Sequence, residues 1–462
     1  MKYVSTRGNA PRVDFVEASL LGLASDGGLY SPDAYPQIER PAANESYVQT
    51  ATRILSAFAG DSLPVAVIAD LTQKAYAPFA HQSVAPLAEI GPSRWMMELH
   101  HGPTLAFKDV AMRLIAQLYD YSLGQRAERM TILCATSGDT GGAAASAFAG
   151  SANIDVVILH PLDRVSPTQR LFMTATGADN VHNLALEGDF DGTQAILKAL
   201  LANDVFRRNA RLAAVNSINW ARIAAQSVYF SRAQAQLGAQ TSVRFIVPTG
   251  NFGDALAAYV ASRCGLLTGF DCVTAVNAND AMANLISGQP LTRGPTRATF
   301  SPAMDIQLPS NFERLLFEAA GRDGGAVAAA YATLARDGSS AVPARAVAAL
   351  GSMGFTAERV GDEETIDEIR RTHAETGFVV CPHTAVGLAA ARRSGSDDGA
   401  IVTLATAHAA KFPETVQRAL GQRIDLPERA EAFRSRPEVF DIGPMSESFV
   451  RERVENIVRS HA

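Results

Sequence analysis

The chain has 462 residues, with 41 Lys and Arg against 47 Asp and Glu, a formal net charge of −6, and 47% hydrophobic residues. At ~150 residues per domain that length predicts two or three domains, and the apolar content excludes a mostly disordered chain. The acidic balance and the lack of a basic run exclude bulk electrostatic binding of nucleic acid. Cys134, Cys264, Cys272 and Cys381 form no C-x-x-C pair, so neither a disulfide framework nor a zinc ribbon is expected, and a reducing compartment is. The opening MKYVSTRGNAPRVDF is too polar for a secretory core. No apolar run reaches the ~18 to 20 residues that cross a bilayer. A cytoplasmic chain with no membrane partner is the expectation.

Residues 1–80 read as a separate, mainly helical section, with turns marked by Gly27, Gly28 and Pro32 and helical spacing in Val48, Ala51, Ile54, Leu55 and Phe58. Beyond about residue 95, short apolar runs alternate with helical patterns. MTILCA (130–135) leads through a polar turn into the small-residue stretch GGAAASAFAG. VVIL (156–159) is a second strand, and Ser166-Pro167-Thr168-Gln169 reads as an N-cap, a proline at the first helical position and a capping-box partner. NLAL (183–186), a helix from about 191, a helix over 217–236 and RFIV (244–247) continue the alternation, with GFVVCP and GAIVTLAT as later strand candidates. Repeated βα units with continuous apolar strands predict an α/β fold, parallel sheet covered by helices.

In such a sheet, ligands sit beyond the carboxyl ends of strands, at the first turns of the following helices. Three polar turns fit: Thr136-Ser137-Gly138-Asp139-Thr140-Gly141-Gly142, Pro248-Thr249-Gly250-Asn251-Phe252-Gly253-Asp254, and Ala405-Thr406-Ala407-His408. Glycines admit an anion close to the backbone, and helix N-terminal N–H groups point at it. The first two match neither a Walker nor a G-x-G-x-x-G pattern, and a tight strand-to-helix turn that binds nothing is the alternative. In HHGPTLAFKD, Lys108 sits between Phe107 and a helix-like run over 110–119. A desolvated lysine loses proton affinity and becomes a nucleophile or base, whereas a snorkelling surface lysine does neither.

HHGPTLAFKD closely resembles the pyridoxal-phosphate lysine motif of threonine synthases. STRG with LASDGGLYSP, SGDTG, NSINWAR, PTGNFGD, PHTAVG and TAHAAKF resemble that family's motifs in the same order, from about residue 3 to 415, and the length and SGDTG resemble its long, microbial and fungal type. The resemblance implies a fold-type II enzyme, tryptophan synthase β-like, with two α/β domains and an added N-terminal section. The implied boundaries are 1–80 for the N-terminal domain, 81–110 and 226–462 for the large cofactor domain, and 111–225 for the small domain. It implies pyridoxal 5′-phosphate as cofactor and a lyase that converts O-phospho-L-homoserine and water into L-threonine and phosphate. A monomer is favoured by likeness to the long type, with a dimer as the alternative. The nearest rival is another pyridoxal-phosphate lyase or dehydratase; a non-catalytic binding protein is the other.

Carried onto matching positions, the resemblance makes Lys108 the cofactor lysine and the proton relay. Gly250, Asn251, Phe252 and Gly253 become the cup for the cofactor phosphate, Thr406 the partner of the pyridine nitrogen, and Asp139 a neighbour of the 3′-oxygen. Ser137, Gly138 and Thr140 are implied for the substrate carboxylate or phosphate, and Asn216, Ser217 and Arg222 for the leaving phosphate. Asn216 and Ser217 as simple helix caps, and Arg222 as a solvated helix arginine, are the alternatives. His100 and His101 are read as packing, and His383 and His408 resemble no standard metal site. The chain departs from the family pattern at Cys381 (commonly Asp), Ala409 (commonly Pro) and Asp139 (Asn in shorter relatives).

Overall fold

The apolar runs of the middle of the chain become strands Met130–Ala135, Ile154–Pro161 and Val181–Glu187 in the computed structural model, which describes residues 1–215, 217–395 and 399–460. All eight residues of Ile154–Pro161 are buried, as a strand covered on both faces requires. With Leu212–Ala214 and Asp441–Pro444 these strands form a wholly parallel sheet in the order 441–444, 181–187, 154–161, 130–135, 212–214. A second sheet has the order Phe355–Arg359, Asp271–Val276, Val243–Pro248, Ala400–Ala405, Arg94–Glu98, Leu87–Gly91. It is parallel except for Leu87–Gly91, which runs antiparallel to Arg94–Glu98.

The chain divides into two compact units, Met1–Gln73, His81–His101 and Ser217–Ile424 for one, Lys74–Ala80, Gly102–Asn216 and Asp425–Ala462 for the other. The second unit thus takes Asp425–Ala462, which the sequence-based boundaries assign to the large domain, and it begins before residue 111. In that unit Leu133, Val157, Leu184, Leu186 and Leu200 bury a common core with Val450 and Val454 of the Glu447–Arg459 helix. In the first unit Ile246, Val273, Val386 and Ile401 lie in one core cluster.

The N-terminal section holds helices Phe15–Leu21, Tyr47–Ala59 and Val65–Tyr76 and an antiparallel ribbon of Tyr3–Ser5 with Tyr30–Pro32. Its motif residues brace one another. Ser5 Oγ donates to Asp26 Oδ1 (2.7 Å), while Thr6 and Arg7 bind the Glu313 carboxylate at 2.6 to 3.1 Å.

Three expectations need correction. GFVVCP forms no strand; Val380 makes an isolated bridge to His408, and the chain turns into helix Pro382–Arg393. The helix expected over 217–236 is Trp220–Leu237, capped by Asn219 rather than by Ser217. Ser166 caps helix Pro167–Thr174 as expected, but the Gln169 side chain donates to Asp139 instead of closing a capping box. Among the described residues no helix is long and apolar enough to cross a membrane, and the four cysteines are buried and form no disulfide.

Candidate active site

In the second unit, strand Met130–Ala135 ends at Thr136, whose hydroxyl accepts from the N–H groups of Gly138 (2.9 Å) and Gly141 (3.0 Å). That fold-back starts helix Asp139–Phe148, with Gly138 at φ +143°, a backbone conformation that only glycine adopts freely. Gly141 and Gly142 allow the helix to lie against Pro167–Thr174, since a Cβ on Gly141 would stand 2.5 Å from Met173 Sδ and one on Gly142 3.0 Å from Phe172 Cβ. Ser137 is exposed and Thr140 half-buried.

Lys108 opens the 19-residue helix Lys108–Arg126. The loop before it is tied by Asp109, which accepts from the Thr104 N–H (2.8 Å) and hydroxyl (2.6 Å), and a Cβ on Gly102 would collide with Asp109 Oδ2 at 2.4 Å. These contacts fold the loop so that Gly102 and Thr104 lie against Asp109. Lys108 is 9% exposed, so the surface reading fails. Its Nζ lies 3.4 Å from Asp139 Oδ2 and 4.8 Å from the centre of the Phe107 ring. A buried ammonium needs such a partner, because an unpaired charge there would cost several kcal/mol.

In the first unit, strand Val243–Pro248 runs through buried Thr249 into a turn ending at Phe252, which has φ +63°. Helix Gly253–Arg263 follows with no side-chain cap on its first N–H groups. The turn is braced from one side: Asn311 donates its backbone N–H (3.1 Å) and its amide (3.2 Å) to Asn251 O, and the same amide reaches Ser217 O (3.0 Å). Asn311 is held in turn by Arg314, whose guanidinium donates to Asn311 Oδ1 (2.6 Å), Tyr30 O (2.9 Å) and Ile218 O (2.5 Å). Burial pushes the Arg314 guanidinium down to about 10. A Cβ on Gly250 would meet Ala303 O at 2.7 Å, and the Ala303 N–H donates to His383 Nε2 (3.1 Å). His383 therefore holds the segment packed on this turn. Asp254 accepts from the Tyr229 hydroxyl, whose proton affinity burial raises.

Thr406 is buried just past strand Ala400–Ala405. His408 caps the short turn Ala409–Lys411 by accepting from the Ala410 N–H (3.2 Å), so Ala409 stands in a formed 3₁₀ turn without proline. At Cys381 the thiol takes the capping position, accepting from the Thr384 N–H at 3.4 Å. His101 Nε2 is 3.0 Å from Glu98 Oε2, and this bond, with the nearby imidazoles, holds the Glu98 carboxyl below the usual range against the effect of burial. The donor atoms of Glu98, His100 and His101 lie within 4.8 Å of one another, a proximity that the packing reading of the two histidines did not anticipate.

Arg222 is 5% exposed in the first turn of helix Trp220–Leu237, which sets aside the solvated-arginine reading. Ser217 is half-buried, and Asn216 lies outside the described residues. Sequence reasoning missed Asn311 and Arg314, which sit beside a stretch of ordinary composition. It also missed the turn from cap to ligand of Gln169; the only available signal was its capping-box spacing.

The Lys108 region and the Gly250 turn each carry groups that suit one part of a phosphate-bearing carbonyl cofactor. A buried amine beside a carboxylate is the donor set for a covalent carbonyl link. A glycine with no room for a Cβ, followed by an uncapped helix N-terminus, suits a phosphate.

Comparison with known proteins agrees. Family models match for a pyridoxal-phosphate-dependent enzyme at residues 84–407, for the threonine synthase N terminus at 2–76 and for the threonine synthase C-terminal region at 384–454. Threonine synthase of Pseudomonas aeruginosa is 44% identical over 434 residues, covering 92% of each chain. The crystal structure of pyridoxal-phosphate-bound threonine synthase from Brucella melitensis superposes with a TM-score of 0.95 at 43% identity, covering 99% of this chain and 100% of that one. The yeast threonine synthase structure gives 0.93 at 33% identity, covering 99% of each. The chain belongs to the threonine synthase family of pyridoxal-phosphate-dependent enzymes.

Proposed function

We propose that this chain converts O-phospho-L-homoserine and water into L-threonine and phosphate, with pyridoxal phosphate carried by Lys108. The observation that supports the residue assignment best is the buried amine of Lys108 beside Asp139 (3.4 Å) at the start of a long helix. When bound, the cofactor supplies an electron sink for the charge left at the substrate α-carbon.

The chain's own groups do the rest. Released by the incoming substrate amine, Lys108 Nζ takes the α-proton. With that proton passed on to the electron sink that the cofactor would supply, the neutral amine takes a β-proton, and the γ carbon–oxygen bond breaks with phosphate as the leaving group. The γ-carbon is protonated, water adds its oxygen to the β-carbon, and the α-carbon regains a proton before threonine departs. One amine serves neighbouring carbons because binding keeps all of them within hydrogen-bond reach. Asp139 keeps the amine in place through its Oδ2. The N–H groups of the turn Gly250, Asn251, Phe252 and Gly253 take the cofactor phosphate, and the Thr406 hydroxyl takes the pyridine nitrogen. Ser137, Gly138 and Thr140 bind the substrate carboxylate or phosphate. Ser217 and Arg222, with Asn216, bind the phosphate that leaves; a guanidinium grips such a group through two hydrogen bonds. We place the enzyme in the cytoplasm as a monomer.

Incubation with phosphohomoserine should release threonine and phosphate in equal amounts. Lys108→Ala should fold, lose turnover and lose the borohydride-reducible link to the cofactor. Near-normal threonine production by that variant would refute the assignment.

A further inference from the structure

We infer that Gln169 is a positioning residue, whose side-chain amide holds one oxygen of Asp139 so that the other stays on the amine of Lys108. The inference rests on the reading of Lys108 as the cofactor lysine. Gln169 Nε2 donates to Asp139 Oδ1 at 3.0 Å, and Asp139 Oδ2 lies 3.4 Å from Lys108 Nζ. The two oxygens of one carboxylate are thus divided between two donors. The terminal torsion of an aspartate is soft and roughly two-fold, so removing one donor loosens the aim of the carboxylate at the other. The amide also favours the ionised carboxylate, the form that stabilises a cationic lysine.

Gln169 is itself fixed on every side. Its N–H is taken by the Ser166 hydroxyl (3.2 Å), and Pro167 precedes it in the first turn of its helix. It is 8% exposed, and its amide fills the space left by Gly138, where a Cβ would stand 2.5 Å from Gln169 Cδ. The rest of the helix is anchored: Arg170 forms two bonds to Glu438 (2.8 and 3.0 Å), and the Thr174 hydroxyl donates to the same carboxylate (2.7 Å). Of the nearby charged groups, Arg170 is engaged by Glu438 and Asp109 by Thr104, while the Gln169 amide is bonded to Asp139.

Two substitutions in the full-length holoenzyme separate positioning from packing. Gln169→Leu removes the donor at similar volume. The pH midpoint of the visible absorbance of the bound cofactor should then fall, because the cation at Lys108 loses its aligned counter-charge. Gln169→Glu adds a carboxylate at the same place, and the midpoint should rise. Each shift should be roughly 1 pH unit, in opposite directions. For Gln169→Leu, kcat/KM should drop about 10- to 150-fold, the range of one hydrogen bond to a charged group, with kcat affected more than KM. Should Gln169→Leu fail to fold, Gln169→Asn, too short to reach Asp139, should give the same downward shift. Unmoved midpoints, or shifts of the same sign in both variants, would overturn the inference and leave a packing residue. Borohydride reduction and peptide mapping of the wild type test the Lys108 reading separately, since they show which lysine carries the cofactor whatever the Gln169 variants do.

Discussion

Valine at position 253 probes the proposed phosphate cup where it is most tightly packed. Gly253 lies outside the left-handed region, which Phe252 occupies at φ +63°, so the cost of a side chain there is steric rather than conformational. A Cβ would stand 3.3 Å from Asn311 Nδ2 and 3.6 Å from both Ile223 Cδ1 and Ser217 O. Valine adds two methyl groups beyond that point, and the group that must yield is the Asn311 amide. That amide makes two bonds, to Ser217 O and Asn251 O. Each costs ~1 kcal/mol to lose, rising where the acceptor is left buried. Two such losses give about 2 to 3 kcal/mol, which expressed in cofactor affinity is a weakening of about 30- to 150-fold. Titration of the apo-protein with pyridoxal phosphate, followed by visible absorbance, measures it directly. Asn311→Ala removes the same bonds without adding atoms and should weaken binding in the same direction. A Gly253→Val protein that binds cofactor within about threefold of the wild type would place the phosphate elsewhere.

Arg222→Ala should lower kcat/KM by about 10- to 150-fold and weaken inhibition by free phosphate in parallel, while cofactor affinity holds; Lys should replace it poorly because it lacks the planar fork. Normal KM and normal phosphate inhibition would remove Arg222 from the substrate site. The hydrogen bonds from Arg170, with help from Thr174, hold the Glu438 carboxyl below its usual range. Its contribution is therefore complete above the ordinary glutamate pKa of ~4.3 and lost as pH falls through the lowered folded value. The pair is half-buried and still reached by solvent, so screening keeps the effect to about 1 kcal/mol. Protection against hydrogen exchange over 425–462, taken relative to the intrinsic rate, should fall once pH drops below ~4.3, and Glu438→Gln should abolish that dependence; an unchanged acid response in the variant would assign it to another group. Cys381→Ala removes the cap of helix Pro382–Arg393 and should cost ~0.5 to 1 kcal/mol, read by denaturant midpoint.

The strands buried on both faces were legible, because continuous burial writes itself as an unbroken apolar run: VVIL lies within a strand that is buried throughout. Asp441–Pro444 was not. Its pattern is mostly exposed, it pairs with Val181–Glu187 across more than 250 positions, and nothing local in DIGP marks a strand. GFVVCP misled for the opposite reason, since an apolar run next to a helix start reads like a strand until the partner is known. Lys108 stood out through its motif, and its burial beside Asp139 is a tertiary fact that no spacing shows. Arg314 and Asn311 carried no signal at all: their importance is that their donors reach Tyr30, Ser217 and Ile218, residues far away in the chain. The STRG and SDGG motifs read as family marks, yet they serve as braces, joined by Ser5 and Asp26 and tied to Glu313.

The unit that holds Lys108 is assembled from three separate stretches of chain, the last of them Asp425–Ala462. Strand Asp441–Pro444 closes one edge of its sheet, and Val450 and Val454 fill its core. During synthesis, strand Val181–Glu187 must therefore wait, with one row of its backbone groups unpaired and Leu184 and Leu186 lacking part of their cover, until more than 250 further residues have been made. At ~5 to 20 residues per second that is an interval of about 12 to 50 seconds. For that time the nascent protein presents an open sheet edge, the kind of surface that chaperones shield and that aggregates recruit. Chains stopped before Asp441 should consequently be lost to aggregation or degradation rather than accumulate as enzyme with a weakened active site.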